Sequence, residues 1–354
     1  MTHPFLDRAD LRIRVQRALD RFLRLRRDRL TEIEPEALRP VADAIDALVL
    51  GGGKRLRPAF AYWGYRGAGG ADADEIVAAV AALELVQASA LIHDDVMDGS
   101  ETRRGEPAVH RRFANLHRAS GWRGDGDGFG TAAAILLGDL CLVWSDEMLH
   151  ASGLDPVTLA RSRPVFDDMR SEVTIGQYLD VQTQATGDTS TARASLVARF
   201  KSAKYTIEQP LVFGAALAGD SPRLAKALSA FGLPLGEAFQ LRDDVLGVFG
   251  DPAVTGKPAG DDLREGKRTY LIAAAIESAG HGVFDNRLGD PGLDAQGVAL
   301  LRRTIVDSGA LHRTEERIAE LTGAALRALD TAEITDEARE VLTGLAQAAT
   351  QRAV

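Results

Sequence analysis

The amino-acid sequence predicts an all-α protein, and two observations favour this class. Apolar residues recur at spacings of three and four through long stretches, among them 75–98, 132–150, 196–219 and 231–246. This is the pattern of helices that bury one face. The alternation of polar and β-branched residues that is typical of strands is missing. With 45% hydrophobic and 26% charged residues in 354, the chain can form a large core.

Glycine and proline gather in a few short stretches that separate the predicted helices. These stretches are residues 51–58, 65–74, 121–130 and 250–262, and such clusters mark loops. No linker rich in proline and serine divides the chain, and no repeat of fixed period is present. We therefore expect one domain over residues 1–354.

Composition excludes several classes of partner. The net charge is −9 and no basic run is present, so a nucleic-acid partner is not expected. Cys141 is the only cysteine, which excludes a disulfide framework and fits a reducing compartment. We find no apolar run of transmembrane length, and the start MTHPFLDRAD does not have the pattern of a signal peptide. The sequence predicts a cytoplasmic protein without stable membrane insertion.

The stretch LIHDDVMDGSETRRG (91–105) places three aspartates at the end of an apolar segment. On a helix Asp94 and Asp98 share a face, with Asp95 beside them, and their charges repel one another. A divalent cation such as Mg²⁺ would offset this repulsion, and the adjacent arginines suit the phosphate oxygens that such a metal bridges. Taken alone, such a cluster more often belongs to a solvated helix end.

A second acidic cluster makes that simpler explanation less attractive. The segment FQLRDDVLGVFGD places Asp243 and Asp244 within another largely apolar helix. Carboxylates that project inward from facing helices build metal sites in helical bundles. Cations gather near both clusters and in the first glycine-rich loop, namely Lys54, Arg55, Arg57, Arg103, Arg104, Lys257 and Lys267. The sequence thus predicts a site for metal ions and phosphate groups.

The ordered motifs of the chain resemble those of the trans-isoprenyl diphosphate synthases. The motifs are GGGKRLRP (51–58), LIHDDVMD (91–98), RRGEPAVH (103–110), GQYLD (176–180), KS (201–202), FQLRDD (239–244) and GKPAGDDLREGKRT (256–269). The resemblance runs from about residue 40 to near residue 350. It implies a helical bundle of the isoprenoid synthase type with a central active-site cavity, usually a homodimer. It also implies three Mg²⁺ ions that hold an allylic diphosphate beside a basic pocket for isopentenyl diphosphate.

The same resemblance implies a role for each matching residue. The metal ligands would be Asp94, Asp98 and Asp243, supported by the carboxylates of Asp95 and Asp244. The allylic diphosphate would be bound by Arg103, Lys201, Lys257 and Lys267, and isopentenyl diphosphate by Lys54, Arg57, Gln87 and Arg104. Ser202 and Gln240 would lie near the reacting carbons. Lys204, one turn after Lys201, is left as an alternative to it.

Other positions bear on the third metal and on product length. Gly247 stands where fuller forms of the second motif have a third aspartate, so we expect a weaker third metal and expect alanine to be tolerated there. Ser89 and Ala90 are small where many farnesyl synthases have bulky aromatics, and Trp144 is a candidate for a deeper plug of the product tunnel. Geranylgeranyl diphosphate is the favoured product, with farnesyl or longer diphosphates as alternatives.

Three other functions are considered. A class I terpene cyclase shares the first aspartate motif but needs no second diphosphate pocket, which GGGKRLRP argues against. A catalytically silent regulatory subunit would tend to lose the aspartates that this chain keeps. A di-metal oxidase needs Glu-x-x-His pairs on its helices, and none is present at the acidic clusters.

Overall fold

Helices dominate the computed structural model, which describes residues 8–250, 260–290 and 292–351. The predicted fold class is confirmed. A short 3₁₀ turn (Arg8–Asp10) comes first. The α-helices are α1 (Leu11–Ile33), α2 (Pro35–Leu50), α3 (Leu56–Gly67), α4 (Asp74–Met97), α5 (Val109–Ala119), α6 (Gly126–His150), α7 (Pro156–Thr186), α8 (Thr191–Val197), α9 (Gln209–Ala218), α10 (Pro222–Phe249), α11 (Asp261–Glu265), α12 (Tyr270–Ala279), α13 (Ala295–Asp307), α14 (Ala310–Thr331) and α15 (Asp336–Thr350).

A small hairpin follows α4, which the sequence pattern did not predict. Strands β1 (Thr102–Arg103) and β2 (Glu106–Pro107) pair antiparallel. Two residues per strand are too few to produce a detectable alternation of polar and apolar residues. The turn between them contains Arg104 and Gly105, both with positive φ. The hairpin directs Arg103 and Arg104 to different neighbours.

The helix α4 lies at the centre of the main core. Buried residues occur on every side of it, from Ile76 to Asp95, and it packs against α1, α3 and α6. A helix that is apolar all round is typical of such a central position. A second apolar cluster joins the C-terminal half of α10 to α12, α13 and α14. Helix α10 contributes to both clusters, and so it connects the two halves of the protein.

The expectation that no apolar run reaches transmembrane length is wrong for α4 and α6. By length and composition alone, both helices could cross a membrane. In the structure, 72% of the most apolar window of α4 is buried inside the protein, against 44% of that of α6. Core helices of soluble proteins meet the same criterion, which accounts for α4. The more exposed α6 needs a separate explanation.

The chain between α8 and α9 is a π-helix, Ala198–Glu208, within the stretch where one continuous α-helix was predicted. Glycines allow its neighbours to approach closely. A Cβ at Gly176 of α7 would lie 2.3 Å from the backbone nitrogen of Lys201. A Cβ at Gly236 of α10 would lie 2.5 Å from the backbone carbonyl oxygen of Ala203. π-Helical turns are rare and frequent at functional sites. This one carries Lys201 and Ser202.

Candidate active site

The first acidic cluster lies at the C-terminal end of α4. Asp94 Oδ1 accepts hydrogen bonds from Lys201 Nζ at 2.9 Å and from Gln177 Nε2 at 3.0 Å. Burial favours the neutral form of Asp94, but the charge of Lys201 outweighs it and lowers the pKa of the carboxyl. The π-helix and α7 therefore meet α4 at this aspartate.

Asp95 is buried and is held by the hairpin that follows α4. Arg103 Nε donates to Asp95 Oδ1 at 3.0 Å, and the Arg103 guanidinium also lies 3.8 Å from Asp94 Oδ2. A charged pair with this geometry fixes both partners. Arg103 is thus placed beside both aspartates, and the supporting role of Asp95 at a metal stays a prediction.

Asp98 completes the cluster one turn further along. Burial and the neighbouring charge of Asp94 raise its pKa to about 6. The charges of Lys201 and Lys267 oppose this rise, and Lys267 Nζ lies 4.0 Å from Asp98 Oδ2. A carboxyl with a raised pKa is stabilised in its charged form when a further cation is supplied.

The sequence reasoning missed two residues of the GQYLD motif. Asp180 Oδ2 accepts a hydrogen bond from Lys201 Nζ at 2.6 Å, and Gln177 contacts Asp94 as described above. The two lie three positions apart on α7, so they share a helix face. That spacing was the available signal. Lys201 therefore lies between two carboxylates, while Lys204 pairs with Glu172 at 2.7 Å.

The second acidic cluster lies near the end of α10. Asp244 is buried, which raises its pKa to about 8, and its Oδ1 accepts a hydrogen bond from Gln240 Nε2 at 2.8 Å. Asp243 beside it is partly buried. Gln240, predicted near the reacting carbons, thus contacts Asp244.

Lys267 connects the first acidic cluster to α11, and its charge also acts on Asp244 of the second cluster. Its Nζ lies 4.0 Å from Asp98 Oδ2 and 3.5 Å from Asp262 Oδ1, and it pairs with Glu265 at 2.6 Å. Burial lowers the pKa of Lys267, but the charges of these carboxylates outweigh burial and raise it overall. Lys257, also predicted to bind the allylic diphosphate, lies outside the described residues.

Alanine at Gly247, which was expected to be tolerated, requires the Asp262 side chain to move. A Cβ at Gly247 would lie 1.8 Å from Asp262 Oδ2, and unbonded atoms do not approach so closely. The space of a side chain at position 247 is therefore taken by the Asp262 carboxylate. Asp262 had no predicted role.

Two of the four residues predicted to bind isopentenyl diphosphate line a small cleft between α4 and the hairpin. Gln87 and Arg104 line it together with Leu48 and Leu91. Gln87 Oε1 is buried without a hydrogen-bond partner among the described residues. Arg104 donates to the carbonyl oxygens of Leu48 at 3.1 Å and of Gly52 at 2.7 Å. The hairpin thereby docks on the loop that carries Lys54.

Arg57 lies at the other side of this loop, against the π-helix. Its Nη2 donates to Thr206 Oγ1 at 2.9 Å, and its guanidinium stacks 4.2 Å from the Tyr205 ring centre. Arg57 Nε is buried without a partner among the described residues. Lys54 is exposed at the loop surface.

Arg55 was counted among the cations but received no role, and the structure buries it. It is 4% exposed and forms an ion pair with Glu84 of α4, which is 7% exposed. Its Nη2 also donates to Gln16 Oε1 and to the Val49 carbonyl oxygen, each at 2.6 Å. Because Arg55 is between Lys54 of the loop and Arg57 in the first turn of α3, this network fixes the junction that carries both.

The residues predicted to set product length occupy two places. Ser89 is buried in α4, less than two turns before Asp94, and Ala90 is partly buried. Trp144 of α6 is 7% exposed, with its ring edge-on to Phe22 of α1 at 6.5 Å. Their effect on product length stays a prediction.

The donor set suits a divalent cation that substrate oxygens help to bind. Among the residues that the structure describes, no group of three or more His, Cys, Asp or Glu side chains is arranged to hold a metal. Each cluster offers carboxylate oxygens, the donors that Mg²⁺ prefers, and Mg²⁺ is commonly held by one or two carboxylates plus phosphate oxygens. Asp94, Asp98 and Asp243 would bind such ions.

Known proteins with similar sequences and structures have related activities. The "Polyprenyl synthetase" family profile matches residues 39–295. A geranylfarnesyl diphosphate synthase of Aeropyrum pernix is 34% identical over 76% of this chain and 80% of its own. The geranylgeranyl pyrophosphate synthase of Corynebacterium glutamicum, solved with isoprenyl diphosphate and magnesium, is 41% identical, with a TM-score of 0.93 over 100% of both chains.

A further solved structure contains a different divalent ion. The polyprenyl synthase of Caulobacter crescentus CB15, complexed with calcium and isoprenyl diphosphate, is 28% identical. Its TM-score is 0.77, over 99% of this chain and 98% of its own. The fold, the motif order and the family profile agree: this chain belongs to the polyprenyl synthetase family.

Proposed function

We propose that the protein condenses isopentenyl diphosphate with an allylic diphosphate, releases pyrophosphate, and makes geranylgeranyl diphosphate as its main product. One observation carries this proposal. Lys201 and Lys267 lie beside Asp94 and Asp98 of the first acidic cluster, while Gln87 and Arg104 line a separate small cleft. This arrangement supports separate binding places for the two diphosphates.

The side chains of the first site stabilise the leaving group. The allylic carbon–oxygen bond breaks only if the charge that grows on the diphosphate is neutralised. Arg103, Lys201 and Lys267 supply donors there, and burial strengthens their effect. Divalent cations, up to three Mg²⁺ by family resemblance, would add Lewis-acid stabilisation of the same oxygens when bound.

The second pocket positions the nucleophile. Lys54, Arg57 and Arg104 would bind the diphosphate of isopentenyl diphosphate. The buried amide oxygen of Gln87 has no hydrogen-bond partner among the described residues, so it can accept a hydrogen bond from a ligand or a water molecule. The double bond then attacks the allylic carbon, a new carbon–carbon bond forms, and a proton leaves. Pyrophosphate is the proton acceptor that the family resemblance implies, and no side-chain base is assigned.

A product assay tests this function. Purified protein is incubated with Mg²⁺, isopentenyl diphosphate and each of dimethylallyl, geranyl and farnesyl diphosphate in turn, and dephosphorylated products are separated by chain length. We expect twenty-carbon alcohol as the main product. Hydrocarbon from an allylic diphosphate alone would show a terpene cyclase, and no turnover with any starter would contradict the proposed activity. A dominant product of fifteen or twenty-five carbons would contradict the product assignment alone.

Product length should respond to bulk at Ser89. Phenylalanine at Ser89 or Ala90 fills space that the growing chain needs, and such overpacking costs about 1–3 kcal/mol. We expect the main product to shorten from twenty carbons toward fifteen, while consumption of a short starter persists. The measurement is the chain-length profile. Ala79→Phe, at a fully buried position of the same helix, is the control and should lower stability without shortening the product.

An unchanged profile in folded, active Ser89→Phe and Ala90→Phe would show that these positions do not line the product tunnel. The variant Trp144→Ala tests whether Trp144 closes the product tunnel or is only a core residue. Because Trp144 packs on Phe22, its removal should cost stability by opening a cavity. A longer product would also be expected if the ring closes the tunnel.

The exposed face of α6 supports a homodimer, which belongs to the same proposal. Ile135, Leu136 and Val143 are 45%, 65% and 62% exposed on one helix. A contiguous apolar face of this kind marks an interaction surface. A second copy of the chain is the partner that the family resemblance implies. The proposed protein is a cytoplasmic homodimer, and the apolar length of α6 then reflects an interface.

A charge at Leu136 should dissociate that dimer. Burying an unpaired carboxylate in an apolar interface is strongly unfavourable, so Leu136→Asp should behave as a monomer in sedimentation equilibrium at micromolar concentration. Val157→Asp, at an exposed position of α7, is the matched control and should stay dimeric. Monomeric wild-type protein would refute the dimer. Recovery of the wild type with membranes and of Leu136→Asp in the soluble fraction would assign the face to lipid instead.

A further inference from the structure

The π-helix Ala198–Glu208 ends where the sequence disfavours a continuous α-helix. Pro210 is the second residue of α9, which begins directly after the π-helix. In a continuous α-helix, Pro210 would clash with the Thr206 carbonyl group and could not donate a hydrogen bond to it. Instead, the Gln209 backbone N–H donates to the Lys204 carbonyl oxygen, five residues back. This hydrogen-bonding pattern, the π register, is that of a π-helix.

One carboxylate of α7 contacts the two residues that this hydrogen bond joins. Lys204 Nζ donates to Glu172 Oε1 at 2.7 Å, and Gln209 Nε2 donates to Glu172 Oε2 at 2.8 Å. Residues five apart lie on one face of a π-helix, whereas in an α-helix their side chains point roughly 140° apart. Glu172 can therefore pair with both residues in the π register and not in an α-helix.

A second pair of residues with the same spacing faces the candidate active site. Lys201 Nζ donates to Asp94 Oδ1 at 2.9 Å, at the proposed allylic site. Thr206 Oγ1 accepts a hydrogen bond from Arg57 Nη2 at 2.9 Å, at the proposed isopentenyl site. Since Lys201 and Thr206 are also five residues apart, an α-helix would turn one of them away from its partner. The π register thus allows one helix to contribute to both places.

We propose that Glu172 is a positioning residue, which selects the π register and thereby orients Arg57 toward isopentenyl diphosphate. Glu172 acts through the helix and not on either substrate. The side chains of Glu172 and Lys204 are 24% and 19% exposed, and such shielding from water strengthens an ion pair. The inference rests on the proposed function, since it assigns a residue to the second pocket of that function.

Loss of the π register should act mainly on the isopentenyl side. Lys201 lies between two carboxylates, Asp94 and Asp180, which hold its ammonium group even if the helix turns. Arg57 is oriented by a neutral hydroxyl group and an aromatic ring, and the π-helix supplies both of them. When the helix turns, Arg57 loses this support.

Steady-state kinetics with geranyl diphosphate as the starter measure this difference. Glu172→Gln keeps the size of the side chain and removes its charge. We expect the KM for isopentenyl diphosphate to rise about tenfold, the effect of one weakened contact to a charged group, while the KM for geranyl diphosphate stays within about twofold. Gln209→Leu keeps the ion pair with Lys204, should raise the same KM by a smaller factor, and tests the inference even if Glu172→Gln does not fold.

Glu237→Gln is the matched control. Glu237 of α10 pairs with Arg199 of the same π-helix at 2.6 Å, but it does not join residues that are five apart. Both KM values should stay as in the wild type. Thermal unfolding shows whether each variant is folded.

A double-variant cycle tests the register itself. Pro210→Ala allows an α-helix to continue, but Glu172 should keep the π register, so the KM values should change little. The double variant Glu172→Gln with Pro210→Ala should raise the KM for isopentenyl diphosphate by more than the product of the two single effects, because the two changes act on one equilibrium. Exchange of the charges, Glu172→Lys with Lys204→Glu, should restore much of the wild-type KM, since the ion pair can form again.

The outcomes separate this inference from the proposed function. A KM for isopentenyl diphosphate within about twofold of wild type in folded Glu172→Gln would overturn the positioning role. Equal changes in both KM values, or the same change in Glu237→Gln, would show a general loss of packing and would overturn it as well. Independent effects of Glu172→Gln and Pro210→Ala would overturn the selection of the register. A wild type that makes no prenyl diphosphate would overturn the proposed function, and the inference with it.

Discussion

Replacing Asp94 with alanine is expected to lower kcat by about 10²–10³-fold, the cost typical of removing one group that stabilises transition-state charge. Asp94 lies where α4, α7 and the π-helix meet, and its carboxylate accepts hydrogen bonds from Lys201 Nζ and Gln177 Nε2. Without it, one proposed ligand for a divalent cation is lost and Lys201 loses one of its two carboxylate partners. The measurement is steady-state turnover with a geranyl starter at a series of Mg²⁺ concentrations.

The fold should survive this change. Lys201 keeps its hydrogen bond to Asp180 at 2.6 Å, so the buried ammonium is not left without a partner. Asp94→Asn should be nearly as inactive, because it keeps the shape but not the charge. Asp168→Ala, at an exposed position of α7, should retain activity. Turnover of Asp94→Ala close to wild type in saturating Mg²⁺ would refute the metal assignment, and Asp243→Ala gives the same test at the second cluster.

The two acidic clusters could be predicted because charge in an apolar helix needs a reason. Asp94, Asp98 and Asp243 interrupt apolar periodicity, and burial of a carboxylate is unfavourable without a partner. Lys267 lies 4.0 Å from Asp98 and its charge also opposes the rise in the pKa of Asp244, so one cation acts on both clusters. Local sequence carried this information.

Contacts between distant segments could not be predicted in the same way. Asp180 accepts a hydrogen bond from Lys201 because the π-helix packs on α7 at Gly176. The apolar spacing of residues 196–219 does not distinguish a π-helix from an α-helix. Asp262 fills the space beside Gly247 only after α11 folds back on α10. A glycine in a helix signals a close approach, but its partner is known only from the fold.

Arg55 shows a third limit of sequence reasoning. A cation in a glycine-rich loop is usually exposed, and its two neighbours in the motif were assigned to a substrate. The structure instead buries Arg55 against Glu84, Gln16 and the Val49 carbonyl oxygen. Arg55 also has a φ of 51°, an unfavourable conformation for a non-glycine residue that persists where surrounding contacts hold it. The contacts of buried Arg55 therefore fix the conformation of the loop.

Removing the partner of Arg55 should be among the most destabilising single changes in the protein. Glu84→Leu leaves a buried guanidinium without its carboxylate, which costs about 3–5 kcal/mol. Glu333→Leu is the matched control, because Glu333 pairs with Arg223 at the surface, where both side chains are more than two-thirds exposed. Loss of such a surface pair changes stability by about 0–1 kcal/mol. The measurement is the free energy of unfolding from urea titrations.

The double variant Arg55→Met with Glu84→Leu should recover much of the stability lost by Glu84→Leu, because well-packed apolar residues can replace a buried ion pair. It should not recover binding of isopentenyl diphosphate, since the junction between the Lys54 loop and Arg57 of α3 then loses the hydrogen bonds of Arg55 to Gln16 and Val49. We expect a raised KM for that substrate with a smaller change for the allylic one. If Glu84→Leu proved as mild as Glu333→Leu, the buried pair would not hold this loop in place.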